Sequence, residues 1–205
     1  MAAKLKRIAI FVSGNGTNME NILRRIREGE IPAEAALVVS DNEQAYALRR
    51  AEKYNVECVV VERKRFDSKE AFEAEIRRHL DRKKVDYIVL AGFLRILSAP
   101  FVKVYAGHIV NIHPALLPKF PGAHAIKDAW EAKVPVTGAT VHFVDEGVDT
   151  GPTILQREVW IDPADTLESL ERKVHEVEYE IYPEALRLVL QGKVQLKGRK
   201  VLIKK

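Results

Sequence analysis

The sequence predicts an α/β fold: a doubly wound, mostly parallel sheet with a mixed C-terminal half and one long C-terminal helix. Up to residue 112, short β-branched runs alternate with longer amphipathic segments, which is the pattern of βαβ units with right-handed crossovers. Beyond residue 112, prolines and glycines interrupt this alternation, and two apolar strands joined by a polar loop precede a long amphipathic segment. These patterns indicate a Rossmann-like sheet whose second half is mixed or antiparallel.

The individual elements follow from hydrophobic periodicity and from residues that start or stop helices. In the first half we expect strands at residues 8–12, 37–40, 59–61, 87–90 and 109–112, and helices at 19–27, 43–54 and 68–83. Asp67 or Ser68 is expected to cap the last of these helices. In the second half we expect strands at 137–144 and 153–160, a helix from 166 to about 191, and a hairpin of 194–197 and 201–204.

Length and composition limit the class of protein. A chain of 205 residues with 47% hydrophobic residues can form one compact domain, which we expect to span 1–205 with halves at 1–112 and 113–205. No run approaches the roughly 20 apolar residues of a membrane span. No export signal is visible, and Cys58 has no second cysteine to pair with. We therefore expect a cytoplasmic protein without a membrane partner.

The net charge of +4 has one visible concentration, in the tail at residues 197–205. Such a cluster is a weak indication of an anionic partner. A basic nucleic-acid-binding module is therefore an alternative at this point.

A glycine-rich loop follows the first strand and leads into the first helix. Its residues, 13–18, read Ser-Gly-Asn-Gly-Thr-Asn, and backbone N–H groups that converge at a helix N-terminus bind phosphate. A tight turn that needs glycine only for its backbone angles is the alternative. A dinucleotide site would need a small residue where bulky Met19 stands, so a monophosphate is favoured over NAD. Asp41 could still be the ribose-binding acid of a dinucleotide site, or else a loop cap.

Asn111 and His113 end the fifth strand. Period-2 alternation places their side chains on one face, and ligands of open parallel sheets bind at this end of the strands. Asp149 lies in the polar loop 145–152, of the kind that carries function. If Asp149 approaches His113, its carboxylate favours the imidazolium, which can act as a general acid. We expect these three residues to be catalytic; a structural role for a histidine at a strand end is the alternative.

The sequence indicates neither a metal site nor a covalent nucleophile. The six histidines form no HxH or HExxH motif and no pairing with cysteine. No GxSxG motif is present, and Cys58 lies in mid-strand rather than at a helix start. His142 alternates with two apolar neighbours and is interpreted as a core residue, with a helper residue that faces the cleft as the alternative. Direct transfer of a group between two bound substrates is therefore favoured.

Four ordered segments resemble the phosphoribosylglycinamide formyltransferase family: residues 13–18, 91–97, 111–118 and 145–152. The match covers nearly the whole chain, and the proline-rich stretch after His113 is similar to that of folate-dependent formyltransferases generally. The resemblance implies that 10-formyltetrahydrofolate donates a formyl group to the amine of glycinamide ribonucleotide, in purine synthesis, without a metal or a nucleic-acid partner. It makes 1–112 the phosphate-binding half and 113–205 the folate-binding and catalytic half.

The same resemblance implies binding residues. Gly16, Thr17 and Asn18 would hold the substrate phosphate, and the residues bordering its ribose would be His175, Glu176, Val177 and Glu178. The folate would contact Leu94, Arg95, Ile96, Leu97, Asn111, Asp145, Glu146, Gly147, Val148 and Asp149. Lys69 stands where the family often has Arg, so it would meet the folate's carboxylate tail with one ammonium rather than a planar fork. Core packing for 94–97 and a solvated helix face for Glu178 are the alternatives.

The mechanism implied is attack of the amine on the formyl carbon. The Asn111 amide and protonated His113 would hold the resulting oxyanion, and Asp149 would keep His113 charged and oriented. Besides a nicotinamide-dinucleotide-binding protein, the alternatives are other folate-dependent enzymes. A formyltetrahydrofolate hydrolase would normally bring an extra N-terminal domain, and a methionyl-tRNA formyltransferase an extra C-terminal barrel; we expect neither in 205 residues.

Overall fold

The computed structural model describes residues 5–204, which pack as two compact units that divide between Val110 and Asn111. Residues 1–4, where an export signal would begin, and Lys205 of the basic tail lie outside the described part. Among the described residues, no helix is both long enough and apolar enough to cross a membrane.

The first unit is built on parallel strands. Its strands are β1 (Lys6–Val12), β2 (Ala33–Ser40), β3 (Cys58–Val60) and β4 (Tyr87–Leu90), in the order β3-β2-β1-β4. Its helices are α1 (Thr17–Arg27), α2 (Tyr46–Glu52), α3 (Lys69–Arg82) and α4 (Ala99–Val104), with a 3₁₀ turn at Arg63–Arg65. β1 pairs in parallel with β2 and β4, and β2 with β3. Residues 8–12 of β1 are fully buried, as expected for a central strand covered on both faces.

The second unit is mixed. Its strands are β5 (Ile109–His113), which starts in the first unit, β6 (Val136–Phe143) and β7 (Thr153–Trp160), in the order β5-β6-β7 with β6 and β7 antiparallel. Its helices are α5 (Ala125–Glu131) and α6 (Leu167–Leu190). α6 packs on β6 and β7, and its fully buried Leu170 and Val174 cluster with Val159. β8 (Val194–Lys197) and β9 (Lys200–Ile203) form a separate antiparallel hairpin.

The predicted fold class is confirmed: an α/β fold, mostly parallel, with a mixed second half, a long C-terminal helix and a terminal hairpin. Ser68 caps α3, because its hydroxyl accepts a hydrogen bond from the backbone N–H of Ala71 at 3.0 Å. The sequence does not predict α4 and α5, which have six and seven residues and are too short to show an apolar period. The helix predicted at 43–54 begins only at Tyr46, since the Asn42 side chain accepts a bond from the N–H of Gln44 at 3.0 Å and forms a turn.

Candidate active site

The glycine-rich loop joins β1 to α1 in the first unit. Gly16 is the N-cap of α1, in a left-handed conformation with φ of 75°. A Cβ at this position would lie 2.4 Å from the Cβ of Ala47, so only glycine fits without a movement of α2. The carbonyl of Gly16 accepts the first helical bond from the N–H of Glu20 at 2.9 Å. Thr17 and Asn18 are the first two residues of α1, and the loop therefore has the geometry of a phosphate cradle.

Neighbouring segments of the same unit hold this loop in place. The N–H of Ser13 donates to the carbonyl of Gly92 at 3.0 Å, and its hydroxyl accepts from the N–H of Leu94 at 2.9 Å. Arg50 of α2 donates to both oxygens of Asn15, from Nε to the carbonyl at 2.9 Å and from Nη2 to Oδ1 at 3.0 Å. A loop that is ordered before binding loses less entropy when a ligand arrives.

A cleft of about 470 Å³ adjoins this loop and is lined by Ser13, Asp41, Asn42, Leu94 and Arg95. The Oδ2 of Asp41 accepts a hydrogen bond from the Nε of Arg95 at 2.6 Å, and the Asp41 side chain is only 6% exposed. The acid that a dinucleotide site would use for its ribose is therefore engaged by an arginine. Together with the fully buried Met19, this contact does not favour the NAD interpretation.

The segment assigned to the folate presents apolar side chains to solvent. Leu94 is 78% exposed and Ile96 66% exposed, whereas Leu97 is buried. Core packing, the alternative interpretation, therefore fits Leu97 but not the other two. Large exposed apolar side chains beside a cleft are typical of ligand contacts. Lys69 is the first residue of α3 in the same unit.

Asn111, His113 and Asp149 lie in one cluster of the second unit, which His142 completes. The Nδ2 of Asn111 is 3.2 Å from the Nε2 of His142. Asp149 lies between the two histidines, with Oδ1 3.7 Å from the Nε2 of His142 and Oδ2 3.4 Å from the Nδ1 of His113. β5 supplies Asn111 and His113, β6 supplies His142, and the loop after β6 supplies Asp149.

Backbone groups fix Asp149 and His113. Asp149 has a left-handed backbone with φ of 53°, and its Oδ2 accepts a hydrogen bond from the N–H of Gly122 at 2.9 Å. The Nε2 of His113 lies 2.7 Å from the carbonyl oxygen of Phe120. Both ring nitrogens of His113 thus face oxygen acceptors, and only the protonated ring can donate to both. That is the form which a general acid requires.

His142 is buried, as the sequence predicts, but its ring also belongs to the cluster. Its Nδ1 lies 2.9 Å from the carbonyl oxygen of Phe143, and this contact assigns the ring proton to Nδ1. Burial lowers the pKa of His142, which favours the neutral ring. Its Nε2 is then an acceptor for one amide hydrogen of Asn111, and the other amide hydrogen can meet a developing oxyanion.

The proline-rich segment after His113 is anchored on β6 and β7. The Thr140 hydroxyl donates to the carbonyl of Ala115 at 2.6 Å and accepts from the N–H of Leu117 at 3.1 Å. The Nε2 of Gln156 donates to the carbonyl of Leu117 at 3.0 Å. These bonds fix the path of the chain that leads to Phe120 and Gly122, whose backbone groups contact His113 and Asp149.

The residues assigned to the ribose lie on α6. The Nδ1 of His175 is 2.8 Å from the Oε2 of Glu178, and this hydrogen bond raises the pKa of His175. Glu178 is buried, so the alternative of a solvated helix face is wrong for this residue. Glu176 is exposed and Val177 half-buried. A buried carboxylate needs polar partners, and the ring of His175 supplies one to Glu178.

Cys58 is a poor nucleophile, since burial raises the pKa of its thiol to about 11 and the thiolate is the reactive form. Within residues 5–204, no group of three His, Cys, Asp or Glu side chains is placed to hold a metal ion.

A comparison of the sequence with known protein families identifies one that matches most of the chain. The formyl transferase family matches residues 6–186, a range that includes both the glycine-rich loop and the cluster around Asp149. This chain belongs to the formyl transferase family.

Three relatives are similar to this chain over most of its length. A phosphoribosylglycinamide formyltransferase of Bacillus subtilis is 44% identical over 186 residues, covering 91% of this chain and 95% of that protein. The crystal structure of glycinamide ribonucleotide transformylase 1 from Symbiobacterium toebii has a TM-score of 0.95 and 42% identity, covering 98% of this chain and 95% of the other. A formyltetrahydrofolate deformylase from Pseudomonas syringae has a TM-score of 0.92 and 29% identity, covering 99% of this chain and 67% of the other.

Sequence reasoning missed the contact between His142 and Asn111. A signal was present, because His142 is the single titratable side chain in the run 139–143, directly before the loop with Asp149. A histidine in a buried strand needs a hydrogen-bond partner for each ring nitrogen, and a strand end beside a polar loop can supply one.

Proposed function

We propose that this chain transfers a formyl group from 10-formyltetrahydrofolate to the amine of glycinamide ribonucleotide, a step of purine biosynthesis. Its membership of the formyl transferase family and its identity to phosphoribosylglycinamide formyltransferases support the proposal. The observation that carries it is the cluster of Asn111, His142, Asp149 and His113, which combines an amide donor, a neutral acceptor ring and a histidine–carboxylate pair.

The cluster suits acyl transfer without a covalent enzyme intermediate. The amine lone pair attacks the formyl carbon, and the carbonyl electrons move onto oxygen to give a tetrahedral oxyanion. The Asn111 amide donates to that oxyanion. As the intermediate collapses, the bond between the formyl carbon and N10 of the folate breaks, and the His113 imidazolium gives a proton to the departing nitrogen. The attacking amine gives up one proton to solvent water, and the neutral His113 ring takes one up from solvent, so the imidazolium is restored and the overall proton count balances.

Glycinamide ribonucleotide would be bound by residues from both ends of the sequence. Gly16, Thr17 and Asn18 would hold the phosphate, and the ribose would meet residues 175–178. Lys69, residues 94–97 and residues 145–149 would contact the folate. We propose that 1–205 act as a single formyltransferase domain with a phosphate-binding half at 1–112 and a folate-binding and catalytic half at 113–205. The reaction would take place in the cytoplasm on these small-molecule substrates.

A direct assay tests this function. The purified chain, supplied with both substrates, should form tetrahydrofolate, followed by absorbance, together with formylglycinamide ribonucleotide, identified by mass spectrometry. Product formation should require glycinamide ribonucleotide. Release of formate at the same rate without that substrate would instead favour hydrolysis, the activity named for the Pseudomonas relative. Absence of turnover in both assays would contradict the proposal.

A further inference from the structure

The β8–β9 hairpin lies beyond residues 6–186, the range that matches the formyl transferase family. Lys197 pairs with Lys200 in its register, so Gly198 and Arg199 form a two-residue turn at its tip. Gly198 has a φ of 60°, which suits the glycine-dependent turns of tight hairpins. β9 contacts β7, so the hairpin is attached to the body of the second unit.

Arg199 reaches from this tip to the loop that carries Asp149. Its Nη1 lies 3.1 Å from the Oδ2 of Asp145, and its Nη2 donates to the carbonyl of Thr150 at 2.5 Å. Asp145 and Thr150 lie near the two ends of the loop, and they also contact each other, because the Thr150 hydroxyl donates to the Oδ1 of Asp145 at 2.6 Å. The planar fork of an arginine can bridge two acceptors at once.

The loop between those ends has a constrained backbone. Asp149 has a left-handed conformation, which is adopted by glycine and, less often, by asparagine and aspartate. After it, the chain turns back against β6 so closely that a Cβ at Gly151 would lie 1.7 Å from the carbonyl oxygen of Phe143. Thr150 links these two residues. A displacement of Thr150 therefore moves Asp149, and with it the carboxylate that faces His113.

We infer that Arg199 is a positioning residue, which holds the ends of loop 145–150 together and so sets the distance between Asp149 and His113. The inference rests on the proposed function for its kinetic consequence. Arg199 is 72% exposed, and exposed ion pairs contribute little to stability. Its loss is therefore expected to appear in catalysis and folate binding rather than in folding.

Arg199→Ala tests the inference in the full chain. We expect kcat to fall and the folate KM to rise, with kcat/KM for folate reduced about tenfold and at most about 100-fold, because small misplacements at a reacting centre are costly. The KM for glycinamide ribonucleotide and the thermal midpoint should stay near those of wild type. Lys200→Ala is the matched control, since it removes the same charge from the next residue of the hairpin. Its kinetics should match wild type.

Two further variants separate positioning from direct contact with the anionic folate tail. Arg199→Lys keeps the charge but cannot bridge both acceptors, so its loss should be intermediate. The double variant Asp145→Asn with Arg199→Ala should be little worse than the more impaired single variant, since the two side chains act together. Losses that multiply, wild-type kinetics in Arg199→Ala, or equal rises in both KM values with a lowered thermal midpoint would each overturn the inference.

A spectroscopic readout makes the test independent of turnover. The ring signals of His113 in NMR spectra should move in Arg199→Ala and in Asp145→Asn, and should stay in place in Lys200→Ala. A chain without formyl transfer would count against the proposed function alone, because these signals still report the environment of His113. Unmoved signals in both variants would overturn the positioning role whatever the activity.

Discussion

The glycine-rich loop and the cluster around Asp149 are built in opposite ways. The loop comes from six consecutive residues, and what it offers a ligand is backbone geometry that a single Cβ at Gly16 would disturb. The cluster is made of side chains from β5, β6 and the loop after β6, and its properties depend on charge and on hydrogen-bond direction. Steric changes should therefore act on the loop through binding, whereas isosteric changes of charge should act on the cluster through the chemical step.

The largest expected effect comes from removing the charge of the cluster. Asp149→Asn keeps the size of the side chain but deletes the carboxylate that faces His113 at 3.4 Å. We expect kcat to fall on the order of 10⁴-fold, the loss seen when a carboxylate that orients a catalytic histidine becomes an amide. The KM for glycinamide ribonucleotide should change little, as measured by steady-state kinetics.

A double variant shows whether the two residues act as a unit. Asp149→Asn combined with His113→Ala should be little worse than His113→Ala alone, because catalytic partners are strongly non-additive. If the two losses multiply, Asp149 does not act through His113, and the two residues contribute to catalysis independently.

Asn111→Ala should have the next largest effect. Its Nδ2 is oriented by His142 at 3.2 Å, and the remaining amide hydrogen is proposed to meet an oxyanion that exists only after attack. Loss of one such donor reduces turnover by about 10² to 10³-fold. Single-turnover measurements should show this loss in the chemical step. A loss confined to folate affinity would make Asn111 a binding residue instead.

A smaller effect, on substrate binding rather than on the chemical step, is expected in the glycine-rich loop. In Gly16→Ala the new Cβ would lie 2.4 Å from the Cβ of Ala47, at a residue with positive φ. The free loop can relax to relieve the strain of a left-handed alanine, about 1 to 2 kcal/mol, and substrate binding has to restore the strained conformation, which corresponds to roughly tenfold weaker binding. Isothermal titration should show this for glycinamide ribonucleotide, with folate affinity preserved.

Gly14→Ala is the matched control for the loop, since a Cβ there would have no atom within 4 Å. It should bind the nucleotide as wild type does. Equal affinity in both variants would mean that the loop is only a turn, the alternative that its spacing leaves open.

The same contrast explains what could be predicted from the sequence. The glycine-rich loop is a run of consecutive residues, and the parallel strands and α6 show hydrophobic periods, so these parts can be predicted from the sequence. The cluster depends on contacts between residues as far apart as His113 and Asp149, and the spacing of these residues in the sequence does not show that they meet. The sequence favours a core role for His142, because its buried place in the strand explains the pattern without its contact with Asn111. α4 and α5 were missed because helices of fewer than two turns show no period.

Other parts of the site depend on tertiary packing alone. Nothing in the pattern of residues 93–97 distinguishes the buried Leu97 from the exposed Leu94 and Ile96. The pairing of Asp41 with Arg95 joins positions 54 residues apart. Such pairs follow from how strands and loops meet, which a single sequence does not encode in its local spacing.

The smallest expected effect is one that only the side-chain cluster can show, because backbone groups do not titrate. Burial lowers the pKa of His142 below its ordinary value of 6.5, whereas in the unfolded chain the ring titrates near that value. As the pH falls below about 6.5, the unfolded chain therefore takes up a proton that the folded protein resists, and the free energy of unfolding decreases. This loss is absent at higher pH and grows by at most about 1.4 kcal/mol per pH unit until the folded ring also protonates.

His142→Asn has no ring to titrate, so its free energy of unfolding should fall less than that of wild type between about pH 7.5 and about pH 5.5, as measured by urea denaturation. Equal decreases in the two proteins would mean that the folded ring takes up its proton as readily as the unfolded one. His142 could then not be the neutral acceptor that orients Asn111, and the amide would need another partner in the cluster.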